Sequence, residues 1–178
     1  ILHGVNENLG WAHTVNYCDR LDEFQLEMNP DNALQYKFDG VWVDLEVKTI
    51  KLKIKGIPIN VKRKIYWSKY GATMKNEQGF FSMRLGANMK IGVLDQWYQM
   101  NKAKNFTEFY AALNRQELSM FNIMYADRHD TIFYINNALM PVRNEIVNYN
   151  WKKTVPGNSS KTLWTQFRPE KELPQYIN

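Results

Sequence analysis

The feature that most constrains the fold of this chain is a change of hydrophobic period along it. Phe24, Leu26 and Met28 alternate with polar residues, and after a turn at residues 29–32 the pattern of residues 35–65 predicts antiparallel strands. Over residues 94–113 the apolar side chains recur at intervals of three and four, which predicts two amphipathic helices. Asn105 followed by Glu108 predicts that the second helix begins just after Lys104. Alternation returns over residues 120–139, so the sequence predicts a mixed α/β (α+β) fold with a helical pair between β regions.

Local signals refine the β regions. Residues 5–15 mix apolar and small side chains, which predicts a buried strand. Asp39-Gly40 predicts a hairpin turn. The alternation changes phase between Val47 and Ile50, which predicts a bulge or bend in that strand.

Composition excludes several classes of protein. With 178 residues, 44% hydrophobic and 14% aromatic, the chain predicts one folded domain and excludes intrinsic disorder. The single cysteine, Cys18, excludes an intramolecular disulfide framework and a multi-thiolate zinc site. There is no run of about 18 apolar residues, so no membrane-spanning helix is expected. The start of the chain at Ile1 lacks the pattern of a signal peptide, and we expect a processed or excised piece of something longer.

The net charge of +5 raises the question of an anionic partner. The densest basic stretch contains Lys51, Lys53 and Lys55, which alternate with Leu52 and Ile54. This pattern favours the solvated face of a half-buried strand. A non-catalytic, basic, β-rich module that binds nucleic acid or another polyanion remains the alternative to an enzyme, and a steep salt dependence of binding would identify it.

Spacing alone points to few candidate catalytic or ligand-binding residues. His13 lies near the end of a predicted strand and reads first as a hydrogen-bonded structural histidine. Asp19 and Asp22 could bind a hard cation through their oxygens, or be solvated or paired with arginine. Trp97 and Phe121 are large aromatic residues that could belong either to the core or to a pocket.

Several segments in order resemble one family. They are residues 9–15 (LGWAHTV), 36–40 (YKFDG), 66–71 (YWSKYG), 96–103 (QWYQMNKA), 122–127 (NIMYAD) and 163–164 (LW) with 172–174 (ELP). This order resembles the β-subunit of the penicillin acylase family of N-terminal-nucleophile hydrolases, and within it the acyl-homoserine lactone and aculeacin A acylases. The resemblance runs through nearly the whole chain.

The resemblance implies a fragment of the αββα sandwich of that superfamily. Residues 1–22 would form a sandwich strand and loop, and residues 23–90 an inserted antiparallel β region. Residues 91–118 would form the helices, and residues 119–178 sandwich strands and C-terminal loops.

The activity implied is hydrolysis of a linear amide that releases a fatty or aromatic acyl group. In the family, an N-terminal serine of the β-subunit attacks the amide and its own α-amine acts as the base. A later asparagine is an oxyanion donor, and neither residue has a match within residues 1–178. The resemblance therefore implies a segment that is inactive alone. Its partners would be the rest of the same precursor, namely the α-subunit and the remainder of the β-subunit, and a small acyl amide, with no nucleic acid. The compartment would be periplasmic or secreted.

The resemblance also assigns residues. Val15 matches the position whose backbone N–H forms half of the oxyanion hole. His13 and Tyr17 match residues near the acyl site. Trp97 and Phe121 match two aromatic positions that line the acyl pocket, both usually tryptophan in the lactone acylases, so the smaller Phe121 implies a pocket of different depth.

One possible cofactor follows from the same comparison. Asp19, Leu21 and Asp22 match the calcium-binding loop of the penicillin G acylases, through two carboxylates and one backbone carbonyl. The lactone acylase branch generally lacks these carboxylates. No cofactor is required by the implied chemistry, and structural calcium is the one that the resemblance leaves open.

Overall fold

The computed structural model describes residues 2–56 and 58–178. The chain divides into two compact units, which are described separately. The first comprises Ile1–Arg20, Leu85–Val142 and Thr165–Asn178, and the second comprises Leu21–Arg84 and Arg143–Trp164. Residues 143–164 thus group with the second unit. Ile1, on which the expectation about the start of the chain rests, lies outside the described residues.

The described residues form strands, two α-helices and two short 3-10 turns at Gly86–Met89 and Glu170–Glu172. In chain order, the elements are β1 (His3–Val5), β2 (Leu9–Thr14), β3 (Leu21–Gln25), β4 (Met28–Asn29), β5 (Asn32–Phe38), β6 (Val41–Asp44), β7 (Glu46–Leu52), β8 (Val61–Ser68), β9 (Gly71–Asn76), β10 (Gly79–Leu85), α1 (Val93–Lys102), α2 (Phe106–Leu113), β11 (Met120–Asp127), β12 (Ile132–Ala138), β13 (Val155–Pro156) and β14 (Gln175–Ile177).

The first unit is built on a five-stranded sheet in the order β1-β2-β11-β12-β14. The predicted strand over residues 5–15 is in fact a hairpin, β1 followed by β2, and β2 alternates between buried and more exposed residues. β2 also pairs antiparallel with β11, from Leu9 opposite Asp127 to Thr14 opposite Asn122. Because side chains alternate across a sheet, His13 lies on the same face as the buried Leu9 and Trp11.

The two helices lie where the change of period predicts them and pack on one face of this sheet. Asn105 caps α2, since its Oδ1 accepts the Glu108 N–H at 2.9 Å. Glu108 reaches back to the N–H of Lys104 at 2.9 Å, which confirms the predicted capping pair. The shared core joins alternate residues of the sheet to one face of each helix: Leu9, Trp11, Met100, Ala103, Phe109, Ala112, Leu113, Leu118, Ile123, Tyr125, Phe133, Ile135 and Leu173.

The second unit contains a six-stranded sheet, β13-β3-β10-β9-β8-β7, and a three-stranded sheet, β4-β5-β6. The hairpin predicted at Asp39-Gly40 is confirmed between β5 and β6, where these residues have φ of 49° and 83°. The short β13 pairs parallel with β3, which explains why residues 143–164 belong to this unit.

In the basic hairpin of this unit, the predicted bulge and the predicted buried face are both wrong. The register of β7 with β8 runs without a shift from Glu46 opposite Trp67 to Leu52 opposite Val61, so there is no bulge within it. Leu52 and Ile54 are 42% and 43% exposed, so they do not mark a buried face. A change of phase implies a bulge only where one face of the strand is buried, whereas the described hairpin is exposed on both sides.

Helix length shows whether a described helix could cross a membrane. The α-helices of the described residues have ten and eight residues, and neither is long and apolar enough to span a bilayer.

Candidate active site

Three of the residues assigned by resemblance meet in the first unit. The ring centroid of His13 lies 6.3 Å from that of Trp97 and 5.7 Å from that of Phe121. The centroids of Trp97 and Phe121 are 6.2 Å apart. These three residues, here called the aromatic triad, come from β2, α1 and β11. They sit on the helix-facing side of the sheet, where Trp97 and Phe121 flank the buried core.

His13 is held in one tautomer by its neighbours. Its side chain is almost fully buried, at 3% exposure. Its Nδ1 lies 2.8 Å from the carbonyl oxygen of Leu2. Because a carbonyl only accepts, the proton is on Nδ1 and Nε2 carries a lone pair. Burial lowers the pKa of His13, so the ring is neutral at pH 7.

Two atoms of the triad are buried without a hydrogen-bond partner among the described residues: Nε2 of His13 and Nε1 of Trp97. A third such atom, Oδ1 of Asn101, lies one turn beyond Trp97 on α1. Buried polar groups are normally satisfied, because an unpaired one costs about 1–3 kcal/mol. Three of the buried polar atoms that lack a partner among the described residues thus lie at or next to the triad.

Val15 lies one residue beyond the end of β2 and is 56% exposed. The His13 N–H donates to the Leu2 carbonyl across β1 at 2.9 Å. Val15 itself lies outside the strand, and no partner for its N–H is found among the described residues.

Asparagine side chains contact the residues on both sides of Val15 and the Val15 carbonyl itself. Asn122 donates through Nδ2 to Thr14 Oγ1 at 3.2 Å and to the Val15 carbonyl at 3.3 Å. The next residue, Asn16, is 5% exposed and donates to Asn136 Oδ1 at 2.6 Å and to the Asn137 carbonyl at 2.9 Å. A backbone donor held in this way needs little reorganisation to meet a developing negative charge.

The Phe121 backbone is unusual. Its φ of 127° lies in a region that side-chain-bearing residues rarely adopt. Its backbone N–H donates to Asn16 Oδ1 at 3.3 Å, so the buried asparagine that follows Val15 also contacts the backbone of Phe121. Conformations of this kind cost about 1–3 kcal/mol and cluster at functional sites.

The remaining residues assigned near the site are placed differently. Tyr17 is 97% exposed, and the structure does not bring it onto the aromatic triad. Asp19 is exposed, and Leu21 is 41% exposed.

Asp22 lies in the second unit and already has cationic and hydrogen-bonding partners. Its Oδ1 and Oδ2 accept from Nη2 and Nε of Arg143, both at 3.0 Å, and Oδ2 also accepts from Trp164 Nε1 at 2.7 Å. The carboxylate is fully buried. Because a guanidinium already neutralises this carboxylate, its surroundings do not fit an added calcium ion. Among the described residues no group of three or more His, Cys, Asp or Glu side chains is placed to hold a metal.

Sequence reasoning missed the asparagines and Arg143. Asn16 and Asn136 are 120 positions apart, Asn16 and Phe121 are 105 apart, and Arg143 and Asp22 are 121 apart. No spacing rule joins residues at such separations, because their proximity is created by the pairing of β2, β11 and β12 and by the return of the chain to the second unit.

The fold and the site define the class. The five-stranded sheet with its helical pair, and the mixed sheets of the second unit, form an α+β segment of the N-terminal-nucleophile hydrolase fold. A thermostable penicillin G acylase from Alcaligenes faecalis superposes on the whole chain with a TM-score of 0.85 and 25% identity, and the chain covers 32% of that structure. The family model described as penicillin amidase matches residues 1–178. The chain therefore belongs to the penicillin amidase family.

Relatives within the family include acyl-homoserine lactone acylases PvdQ. The one from Pseudomonas putida is 26% identical over 150 residues, which is 78% of this chain and 19% of that protein. The one from Pseudomonas syringae pv. tomato is 29% identical over 150 residues, with the same coverage. Penicillin G acylase of Escherichia coli is 22% identical over 181 residues, covering all of this chain and 21% of that protein. The chain thus spans about a fifth of the length of these relatives.

Proposed function

We propose that the protein containing this chain is a hydrolase that cleaves a linear amide and releases a fatty or aromatic acyl group. The observation that carries the proposal is the convergence of the aromatic triad beside a fixed backbone N–H. Val15 is two residues from His13, which is about 7 Å along an extended chain. The aromatic wall and the oxyanion donor are therefore close enough to contact, respectively, the acyl chain and the carbonyl oxygen of one substrate.

The chemistry assigns separate roles to the two features. A serine hydroxyl from outside residues 1–178 attacks the amide carbonyl, with its own α-amine as base. The carbonyl oxygen becomes negatively charged, and the Val15 N–H donates to it. Trp97 and Phe121 form part of the wall against which the acyl chain lies, and His13 closes the wall on the β2 side. Membership of the family favours this function over the polyanion-binding alternative.

Chain-length preference tests the pocket. We expect Trp97→Ala or Phe121→Ala in the complete protein to change the ranking of acyl amides of increasing length by about 1–3 kcal/mol in transition-state free energy per altered contact. The assay is kcat/KM with chromogenic amides that differ only in the acyl group. Tyr98→Ala is the matched control, since Tyr98 is adjacent to Trp97 in sequence but 56% exposed. An unaltered chain-length profile in both triad variants would show that these rings serve only the core.

Val15 tests the oxyanion assignment separately. We expect Val15→Ile to retain activity, because the donor is the backbone, and Val15→Pro to lose it, because proline has no N–H. Circular dichroism and thermal unfolding of both variants show whether the proline merely unfolds the unit. We also expect the isolated 178-residue chain to show no turnover, and measurable hydrolysis by it would place the chemistry elsewhere.

We also infer that the sheet face opposite the helices is covered by the rest of the same precursor. This face presents the partly or largely exposed side chains of Val5, Met124, Ile132, Tyr134 and Tyr176. The relatives are about five times longer than this chain, so ample polypeptide is available to cover it. Reduced hydrogen exchange at these residues in the complete protein, compared with the isolated chain, is the expected result.

We also propose that the protein containing this chain is exported to the periplasm, and cell fractionation tests this.

A further inference from the structure

Two rings of the aromatic triad carry an unused donor and an unused acceptor among the described residues. Trp97 Nε1–H is a donor without a partner, and His13 Nε2 is an acceptor without one, among the described residues. The two rings that carry them have centroids 6.3 Å apart. A purely apolar acyl chain would leave both nitrogens unsatisfied, at a cost that binding of a matched group would remove.

The direction of the His13 lone pair is fixed by its other nitrogen. Nδ1–H is committed to the Leu2 carbonyl at 2.8 Å, on the β1 side of the ring. The two nitrogens of an imidazole diverge, so Nε2 is directed away from β1. The burial of the ring keeps it neutral and keeps Nε2 an acceptor.

We propose, on the basis of the function proposed above, that the acyl pocket recognises acyl groups carrying a hydroxyl substituent. The hydroxyl oxygen accepts the Trp97 Nε1–H, and its proton is donated to His13 Nε2. A hydroxyl group satisfies both nitrogens at once because it is both donor and acceptor, whereas a keto oxygen satisfies only Trp97 and a methylene satisfies neither.

A strong preference is expected because buried polar groups of a site penalise ligands that cannot pair with them. A site that hydrogen-bonds a substrate hydroxyl rejects the analogue lacking it far more strongly than an apolar pocket distinguishes one methylene. We therefore expect one position of the hydroxyl along the chain to bind about 10-fold or more tightly than the unsubstituted chain.

The test uses the complete protein and two series of ligands. Isothermal calorimetry measures the Kd of free carboxylic acids of one length that are unsubstituted, keto-substituted or hydroxylated at successive positions, and 4-hydroxyphenylacetic acid against phenylacetic acid. The corresponding chromogenic amides give kcat/KM. We expect one hydroxylated member to be favoured over its unsubstituted and keto counterparts in both measurements.

Variants identify the groups responsible. Trp97→Phe removes the N–H but keeps an aromatic ring, and His13→Phe removes the acceptor. We expect each to reduce the ratio between hydroxylated and unsubstituted ligands to about 2-fold or less, whatever happens to the absolute affinity. Tyr98→Phe, which removes an exposed hydroxyl on the neighbouring residue of α1, should leave both the ratio and the rate unchanged.

The outcomes separate this inference from the proposed function. If the protein hydrolyses acyl amides without preferring any hydroxylated member, the hydroxyl site is wrong and water pairs with the two nitrogens instead. The assignment as a hydrolase would still stand. Preferential binding of a hydroxylated acid without hydrolysis of any amide would support the site and contradict the hydrolase. A preference that survives Trp97→Phe and His13→Phe would place the recognition on other residues.

Discussion

Replacing Arg143 by methionine perturbs the most completely buried charge in the described second unit. The Asp22 side chain is fully buried, while that of Arg143 is 16% exposed. Two of the three hydrogen bonds described above to the carboxylate come from this guanidinium. The Arg143 guanidinium lies 5.6 Å from the centroid of the Trp151 ring. Methionine keeps much of the apolar part of the arginine side chain. The substitution therefore removes the charge and the fork of donors with little change of volume.

The expected cost is at the lower end of the range for breaking a buried pair. Removing one partner of such a pair costs about 3–5 kcal/mol, because the other charge is left uncompensated in a poorly polar environment. Trp164 Nε1 still donates to Asp22 at 2.7 Å and satisfies part of the carboxylate. We therefore expect Arg143→Met to lower the free energy of unfolding by about 3 kcal/mol.

Urea denaturation followed by tryptophan fluorescence measures this change, with Trp151 and Trp164 as reporters beside the pair. Asp22→Asn is the second arm of a double-mutant cycle, because it removes the charge and keeps the shape. We expect Asp22→Asn to be much less costly in the Arg143→Met background than in the wild type. A loss below about 1 kcal/mol for Arg143→Met, with additive effects in the cycle, would refute the argument that the pair is a coupled buried charge. Because Arg143 neutralises Asp22, we also expect calcium or a chelator to leave the unfolding midpoint of the wild type unchanged.

Three further predictions concern stability. Gly71→Ala should lower the unfolding free energy by about 1–3 kcal/mol, since φ is +133° and the added Cβ would lie 2.7 Å from the Met83 carbonyl oxygen; an unchanged urea midpoint would contradict this. Asn105→Ala should cost about 1 kcal/mol by removing the cap of α2, and Asn105→Asp, which keeps the capping oxygen, should cost much less in the same thermal unfolding assay. The lowered pKa of His13 means that the unfolded chain binds its proton more readily, so stability should be greatest above about pH 6.5 and fall as the pH drops below it; a His13→Gln variant with the same pH slope from pH 7 to 5 would show that another group is responsible.

The period of the apolar residues was enough to place the elements because it is a local property. The two helices, the cap at Asn105, the Asp39-Gly40 turn and the hairpin of β11 and β12 each depend on side chains within a few positions of one another. The family resemblance could also be recognised from the sequence, because the order of the motifs does not depend on the folded structure. It also brought out His13, Trp97 and Phe121, which the structure then placed in contact.

Burial was less well determined by the pattern. The alternation around Leu52 and Ile54 is as regular as that of β10, yet β10 has buried residues at alternate positions while the described β7–β8 hairpin is exposed on both faces. A period of two shows that a segment suits a strand, but whether a face is covered depends on which other segments reach it.

What the sequence determined by itself is the set of local elements and the family to which they belong. Only the tertiary structure decided which polar groups meet. Asn16 joins Phe121 and Asn136, and Arg143 neutralises Asp22, through pairings more than 100 positions apart. The nitrogens of His13 and Trp97 that lack a partner among the described residues are likewise a property of packing, because whether a side chain finds a partner depends on every group around it.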